Sequence, residues 1–264
     1  MGLIDDNHIY SYTQLTSVSE CPYSFYLSRI ERDENGKRLK EEPNGFAELG
    51  TLIHDILDKW SKKELTAEEL TLEYDLRFED EVVTPFPRMM KDYRDKAFDI
   101  GHRYFASFDR FEGFKILASE QKFETDMFGR RFIGIVDMLL EDEKTGELII
   151  CDHKSKSLTA FRKAEDEMYR QQLLYSKFVF EKYGRYPDRL MFNLFKEMGL
   201  KKERPFTLEA YNEALAWAKE MIERIENYEV LDFMEAKEPD FFCTEICGMR
   251  KHCSNGSAQL TKKK

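Results

Sequence analysis

FIGIVDMLLEDEKTGELIICDHKSK, residues 132–156, contains two apolar runs, Phe132–Leu140 and Leu148–Cys151, parted by the acidic, glycine-containing stretch Glu141–Glu147. Runs this short, rich in Ile, Val and Phe and bounded by turn residues, are read as buried strands joined in a hairpin. Three charges are set into them: Asp137 inside the first run, then Asp152 and Lys154 at the end of the second. A carboxylate among Ile133, Ile135 and Leu139 is costly unless a cation or hydrogen bonds compensate it. Strand side chains alternate, so Asp152 and Lys154 share one face while Cys151 and His153 share the other. Two carboxylates and an ammonium converging there describe a metal site with a helper cation. Taken alone, the same pattern also describes a hairpin-edge carboxylate and a salt-bridged strand end, and the rest of the chain has to decide.

At 264 residues the chain has ample length for a full hydrophobic core. Its 42% hydrophobic and 14% aromatic content is that of a globular protein. No run approaches the roughly 18 apolar residues of a membrane helix, and MGLIDDNHIY lacks the basic start and apolar stretch of a secretory signal. A cytoplasmic protein without a membrane partner is expected. The net charge of −10 argues against a broad electrostatic footprint on nucleic acid. Metal-binding carboxylates soften that objection, because the ion neutralises them, and phosphate contacts need only a local basic groove.

Five cysteines, at 21, 151, 243, 247 and 253, are an odd count, and three of them crowd into CTEICGMRKHC. In a reducing compartment that clustering suggests a metal rather than a disulfide framework. Cys21 precedes Pro22 at a place where a helix can start. Helical spacing continues through Phe25, Leu27 and Ile30. FAELGTLIHDILDKW (46–60) reads as a helix whose buried stripe is Leu49, Ile53, Ile56, Leu57 and Trp60, with His54 at its border. Further helices are expected over 64–82, 88–110, 161–183 and 207–231, and strands over 114–127 and 189–195. Glu120, in the first of these strands, is either a further carboxylate near the site or a solvated position. Ser157–Thr159 is expected to be a loop, and Gln171 and Tyr175, four apart, share one helix face. His102 and Arg103 have no evident partner.

Taken together, these residues resemble the RecB-like branch of the PD-(D/E)XK nuclease superfamily, and more narrowly its iron–sulfur members, the CRISPR-associated RecB-like exonucleases and AddB-type nuclease domains. Five elements carry the resemblance in the family's order: GTLIH with His54, GIVD with Asp137, DHK with Asp152 and Lys154, QQLLY with Gln171 and Tyr175, and one N-terminal with three C-terminal cysteines. The cysteines read C-x3-C-x5-C where the family more often has C-x2-C.

The resemblance implies an α/β, restriction-endonuclease-like fold, a mixed central sheet flanked by helices. It is expected as one nuclease domain over 1–264: a mainly helical part over 10–110, a catalytic core over 114–231, a cluster-binding segment over 240–253 and a flexible tail over 254–264. It implies that His54, Asp137, Asp152 and the His153 carbonyl ligate Mg²⁺ or Mn²⁺, the imidazole tilting the choice toward Mn²⁺. Lys154 would position the attacking water and stabilise the transition state, and Gln171 and Tyr175 would orient the nucleic-acid backbone or the side chains of the site. Cys21, Cys243, Cys247 and Cys253 would hold a four-iron cluster, with zinc the less favoured occupant. Cys151 is expected to be an inert core residue. The implied activity is metal-dependent hydrolysis of DNA, as an exonuclease, with a protein partner that recruits DNA. Its rivals are a non-catalytic DNA-binding or assembly subunit and a nuclease acting on RNA.

Overall fold

The computed structural model describes residues 3–4, 7–87, 90, 92–234, 236 and 238–253. The tail expected over 254–264 lies outside them. In chain order the elements are β1 (Ile9–Ser11), α1 (Tyr12–Glu20), α2 (Pro22–Phe25), α3 (Gly45–Ser61), α4 (Leu70–Glu81), α5 (Tyr93–Ala106), β2 (Phe114–Met127), β3 (Arg130–Asp142), β4 (Leu148–Lys154), α6 (Leu158–Lys163), α7 (Glu165–Tyr183), β5 (Arg189–Leu194), β6 (Leu200–Pro205), α8 (Leu208–Asn227) and α9 (Val230–Phe233). The chain is α/β. Its mixed six-stranded sheet runs in the order β1-β3-β4-β5-β6, with β2 paired to β3. Among the described residues no helix is long and apolar enough to cross a membrane.

The chain divides into two compact units. One comprises 45–125 and 134–214. In it β4 pairs antiparallel with β3 and parallel with β5, which in turn pairs antiparallel with β6. A parallel neighbour requires a crossover connection, supplied here by α6 and α7. Gly184, left-handed at φ +72°, ends α7. Every residue of β4 from Leu148 to His153 is buried, so its two polar side chains sit in the sheet interior. Cys151 packs with Phe111, Met138, Leu140, Ile149 and Met191. A second cluster joins α3, α4 and α5 through residues such as Leu52, Ile56, Tyr74, Phe78 and Phe105.

The other unit comprises 1–44, 126–133 and 215–264. In it β1 runs parallel to the start of β3, Tyr10 opposite Phe132. Glu226 accepts from Tyr10 at 3.2 Å and from Arg130 at 2.7 Å. Phe233 is buried against Phe25, with ring centroids 5.6 Å apart.

Several boundaries differ from the pattern-based expectation, each for a local reason. The helix expected over 64–82 begins at Leu70, because Thr66 bonds Glu69 through both its N–H and its hydroxyl and holds the preceding residues in turns. That expected over 88–110 spans Tyr93–Ala106, and residues 88, 89 and 91 are not described. The helix expected over 161–183 is two helices parted at Ala164, whose φ of −125° leaves the helical region. Ser157, expected in a loop, caps the first of them by accepting from the Ala160 N–H. The helix expected over 207–231 stops at Asn227, and a new capping box of Glu229 and Asp232 starts α9. His102, without an evident partner in sequence, pairs with Asp75 at 2.9 Å, and Arg103 with Asp99 at 2.8 Å.

Candidate active site

The peptide of His153, on β4, is the hub of the site. Its N–H donates to Asp137 Oδ2 at 2.9 Å, which fixes the β3 carboxylate against the neighbouring strand. Its carbonyl accepts from His54 Nε2, on α3, at 3.0 Å. The other nitrogen of that ring, Nδ1, lies 3.2 Å from Glu120 Oε1 and 3.6 Å from Asp137 Oδ2. Both ring nitrogens therefore face oxygen acceptors, which favours the imidazolium while no ion is bound; to ligate an ion, the ring must first give up a proton. Burial alone would lower its pKa, but the Glu120 hydrogen bond and the charges of Asp137 and Asp152 outweigh it and lift the value to about 9.

Asp152 is 4% exposed. Lys154 Nζ donates to its Oδ1 at 3.1 Å and approaches Oδ2 at 2.8 Å. The second approach is an ion pair without hydrogen-bond direction, so Oδ2 is a buried carboxylate oxygen that accepts no hydrogen bond. Burial raises the Asp152 pKa to about 6, with Lys154 opposing the rise and Asp137 adding to it. Asp137 is raised as well, by burial first, against the lowering charges of His54 and Lys154. Lys154 is lifted above its ordinary range, because the two carboxylates more than offset the effect of burial.

Behind the peptide, the His153 ring is anchored from β5. Register places Asn193 opposite His153. The Asn193 amide N–H donates to the ring Nδ1 at 2.9 Å and to the Tyr104 hydroxyl at 2.7 Å, while its oxygen accepts from Lys201 at 3.1 Å. Burial first, then the nearby His54 charge, holds this imidazole well below its ordinary pKa. It is a neutral structural group whose backbone faces the site. Asn193 was not singled out in the sequence; an amide inside the apolar run RLMFNLF was the available signal.

On α7, Gln171 Nε2 donates to the Tyr175 hydroxyl at 3.2 Å. Tyr175 packs edge-on against Phe123, with ring centroids 4.9 Å apart. Burial pushes its phenol up to about 12, and the Asp152 charge adds to the rise. These two rings cross β3 over Gly134, the glycine of GIVD. A Cβ there would come 2.5 Å from Phe123 and 2.8 Å from Tyr175. Gly134→Ala is accordingly expected to displace Tyr175 and to lower stability by roughly 1–3 kcal/mol. A melting temperature equal to that of wild type in thermal unfolding would show that the two rings can retreat freely.

Glu120, left open by its sequence as a site carboxylate or a solvated position, faces His54. Its backbone is left-handed, at φ +43° within β2, a conformation that costs a non-glycine residue about 1–2 kcal/mol. An open pocket of about 460 Å³ lies beside His54, lined by Ala47, Gly50, Thr51, Asp55, Asp58 and Glu120.

His54, Glu120 and Asp137 each offer a ligand atom, and these lie within 4.8 Å of one another. Octahedral oxygen and nitrogen ligands at about 2.1 Å from an ion stand about 3 Å apart, the separation of His54 Nε2 from the His153 carbonyl. With Asp152, ion-paired to Lys154, beside them, these carboxylate, carbonyl and imidazole donors fit a divalent cation.

The cysteines Cys21, Cys243, Cys247 and Cys253 belong to one unit, that of the chain ends. All four are half-buried and form no disulfide. Cys21 caps α2, and Cys247 Sγ lies 3.8 Å from Ser24 Oγ on that helix. The C-terminal segment is tied down by Glu42 N–H to the Gly248 carbonyl at 2.8 Å and by His252 Nε2 to the Lys40 carbonyl at 3.0 Å. Among the described residues no three of these sulfurs lie within 4.8 Å of one another. Cys151 is fully buried, its thiol pKa raised by burial, as an inert core residue would be.

The family model of the PD-(D/E)XK nuclease superfamily matches residues 9–254. Among solved structures, a "Putative exonuclease" from Eubacterium rectale is similar, with 13% identity, 84% of this chain and 82% of that chain covered, and a TM-score of 0.47. No curated protein matches. The chain belongs to the PD-(D/E)XK nuclease superfamily, and its mixed sheet with flanking helices is the restriction-endonuclease-like fold of that family.

Proposed function

We propose that the protein is a metal-dependent DNA exonuclease of the RecB-like branch. The observation that carries this reading is that His54 and Asp137 both bond the backbone of His153, whose chain neighbours are the buried Asp152 and its ion-pair partner Lys154. His54, Asp137, Asp152 and the His153 carbonyl would hold the ion. When bound, Mg²⁺ or Mn²⁺ supplies a nucleophilic hydroxide near neutral pH and shields charge on the phosphate.

The chain's own residues do the rest. Lys154 stays protonated beside Asp152, so it acts as a fixed positive charge and hydrogen-bond donor toward the attacking water and the phosphate oxygens, not as a base. Gln171 and Tyr175 present a paired amide and hydroxyl that can orient the nucleic-acid backbone. The exonuclease assignment rests on the resemblance of GTLIH, GIVD, DHK and QQLLY to that branch.

The four cysteines of the chain ends are assigned to an iron–sulfur cluster on their resemblance to the family's one N-terminal and three C-terminal cysteines, with their shared unit and their lack of a disulfide in support. The net charge of −10 supports a protein partner that brings DNA to the site. End-labelled single- and double-stranded DNA, incubated with Mg²⁺ or Mn²⁺, should be shortened progressively from an end. Cleavage of RNA alone would replace the substrate, and no cleavage of either nucleic acid would favour an assembly subunit.

A further inference from the structure

Ser119 and Glu120 are consecutive on β2, and side chains at consecutive strand positions point to opposite faces. Here both reach α3. Ser119 Oγ donates to Asp58 Oδ1 at 2.7 Å, and Glu120 Oε1 receives His54 Nδ1 at 3.2 Å. His54 and Asp58 are four apart, and so lie on one face of the helix. The left-handed backbone at Glu120 departs from extended strand geometry and so interrupts the alternation that would send the two side chains to opposite faces. The burial pattern agrees: the alternation of buried and exposed residues is regular from Lys122 to Met127 and lost from Ile116 to Gln121. The kink is held from both sides, by Ser119 on Asp58 and by Lys182 donating to the Gln121 side chain at 2.9 Å.

We propose that Glu120 is a positioning residue that acts through His54: by taking the Nδ1 side of the ring it turns Nε2 to the His153 carbonyl, where the ion would be held. The inference rests on the metal-site reading given above and adds to it the residue that sets the ligand's orientation. Asp137 is less suited to the task, because its Oδ2 is already committed to the His153 N–H and stands farther from Nδ1. An outer carboxylate on a ligating histidine fixes its ring and raises its basicity, and loss of such a partner typically weakens metal binding 10–100-fold.

The test uses Glu120→Gly, because glycine adopts positive φ without strain and the fold should survive. Glu120→Gln is its companion, since the amide oxygen still accepts from Nδ1. Mn²⁺ alone is titrated calorimetrically into the full chain. Glu120→Gly should bind about 10–100-fold more weakly, and Glu120→Gln should stay within a few-fold of wild type. In a His54→Ala background, Glu120→Gly should make no further difference. Multiplying losses in the double variant, or a Gln variant as weak as the Gly one, would overturn the proposal in favour of direct ligation. In protein stripped of metal, nuclear magnetic resonance should show an exchange-protected His54 Nδ1–H in wild type and Glu120→Gln but not in Glu120→Gly. Its persistence in Glu120→Gly would also overturn the proposal. If wild type takes no Mn²⁺ while this resonance behaves as expected, the metal reading fails and the orienting contact stands.

Discussion

Asp152→Asn is expected to abolish cleavage and, in the absence of metal, to make the protein harder to unfold. The amide keeps the shape of the side chain but removes a charge that the fold holds at a cost. Burial lifts the Asp152 pKa from its ordinary 3.8 to about 6, and a tenfold change in an acid's dissociation constant corresponds to about 1.4 kcal/mol. Ionising the group therefore costs the apo protein on the order of 2–3 kcal/mol. The sign follows from linkage. With the folded value above the unfolded one, there is no cost below pH 3.8, the cost grows as pH rises toward about 6, and it is complete above that. In EDTA the variant should match wild type near pH 4 and melt about 3–8 °C higher at pH 8. Cleavage with Mg²⁺ or Mn²⁺ should fall by at least about 10²–10³-fold, the scale of losing one preorganised charge at a reacting centre. Wild-type rates would sink the site assignment, and a lower melting temperature at pH 8 would show that the ion pair with Lys154 stabilises the apo fold.

Replacing any one of Cys21, Cys243, Cys247 or Cys253 by Ser is expected to give colourless, poorly soluble protein, whereas anaerobically purified wild type should be brown. Cys21 and Cys243 are separated by most of the chain. A shared cluster would close a very long loop and restrain the unfolded chain by roughly 4–5 kcal/mol in the entropic model used for disulfides. Metal–thiolate bonding would add its own contribution, coupling folding to cluster insertion. Total stabilities of about 5–15 kcal/mol leave little margin for such a loss. Cys151→Ser should keep its colour, because that thiol lies inside the sheet among Phe111, Met138 and Met191, in the other unit. A colourless wild type with stoichiometric zinc would change the metal and keep the link between Cys21 and the C-terminal cysteines. Four independently reactive thiols in a folded protein would rule that link out.

Sequence by itself determined the β3–β4 hairpin and the placement of Asp137, Asp152 and Lys154 on it. The reason is local: apolar runs of strand length bounded by turn residues record strands, and the two-residue alternation settles which neighbours share a face. Such runs do not record burial of the whole first strand, since Ile133 and Ile135, on the face of Asp137, are exposed. Sequence also determined the α3 stripe that carries His54. Where the signal was not periodic apolarity, sequence was silent or misleading. The edge strand β6, LKKERP, has no apolar alternation, and its pairing to β5 is a backbone matter. The break at Ala164 interrupts a pattern that favours helix on both sides.

Tertiary structure alone decided which atoms meet. Helical spacing puts His54 at the edge of a buried stripe but cannot say that Nε2 meets a carbonyl 99 positions away. Glu120 faces the ring because one strained residue turns two consecutive side chains to the same helix, and Asn193 reaches His153 through parallel register. Both depend on chain segments brought together by burial elsewhere, and local periodicity does not record which partner a buried face will find.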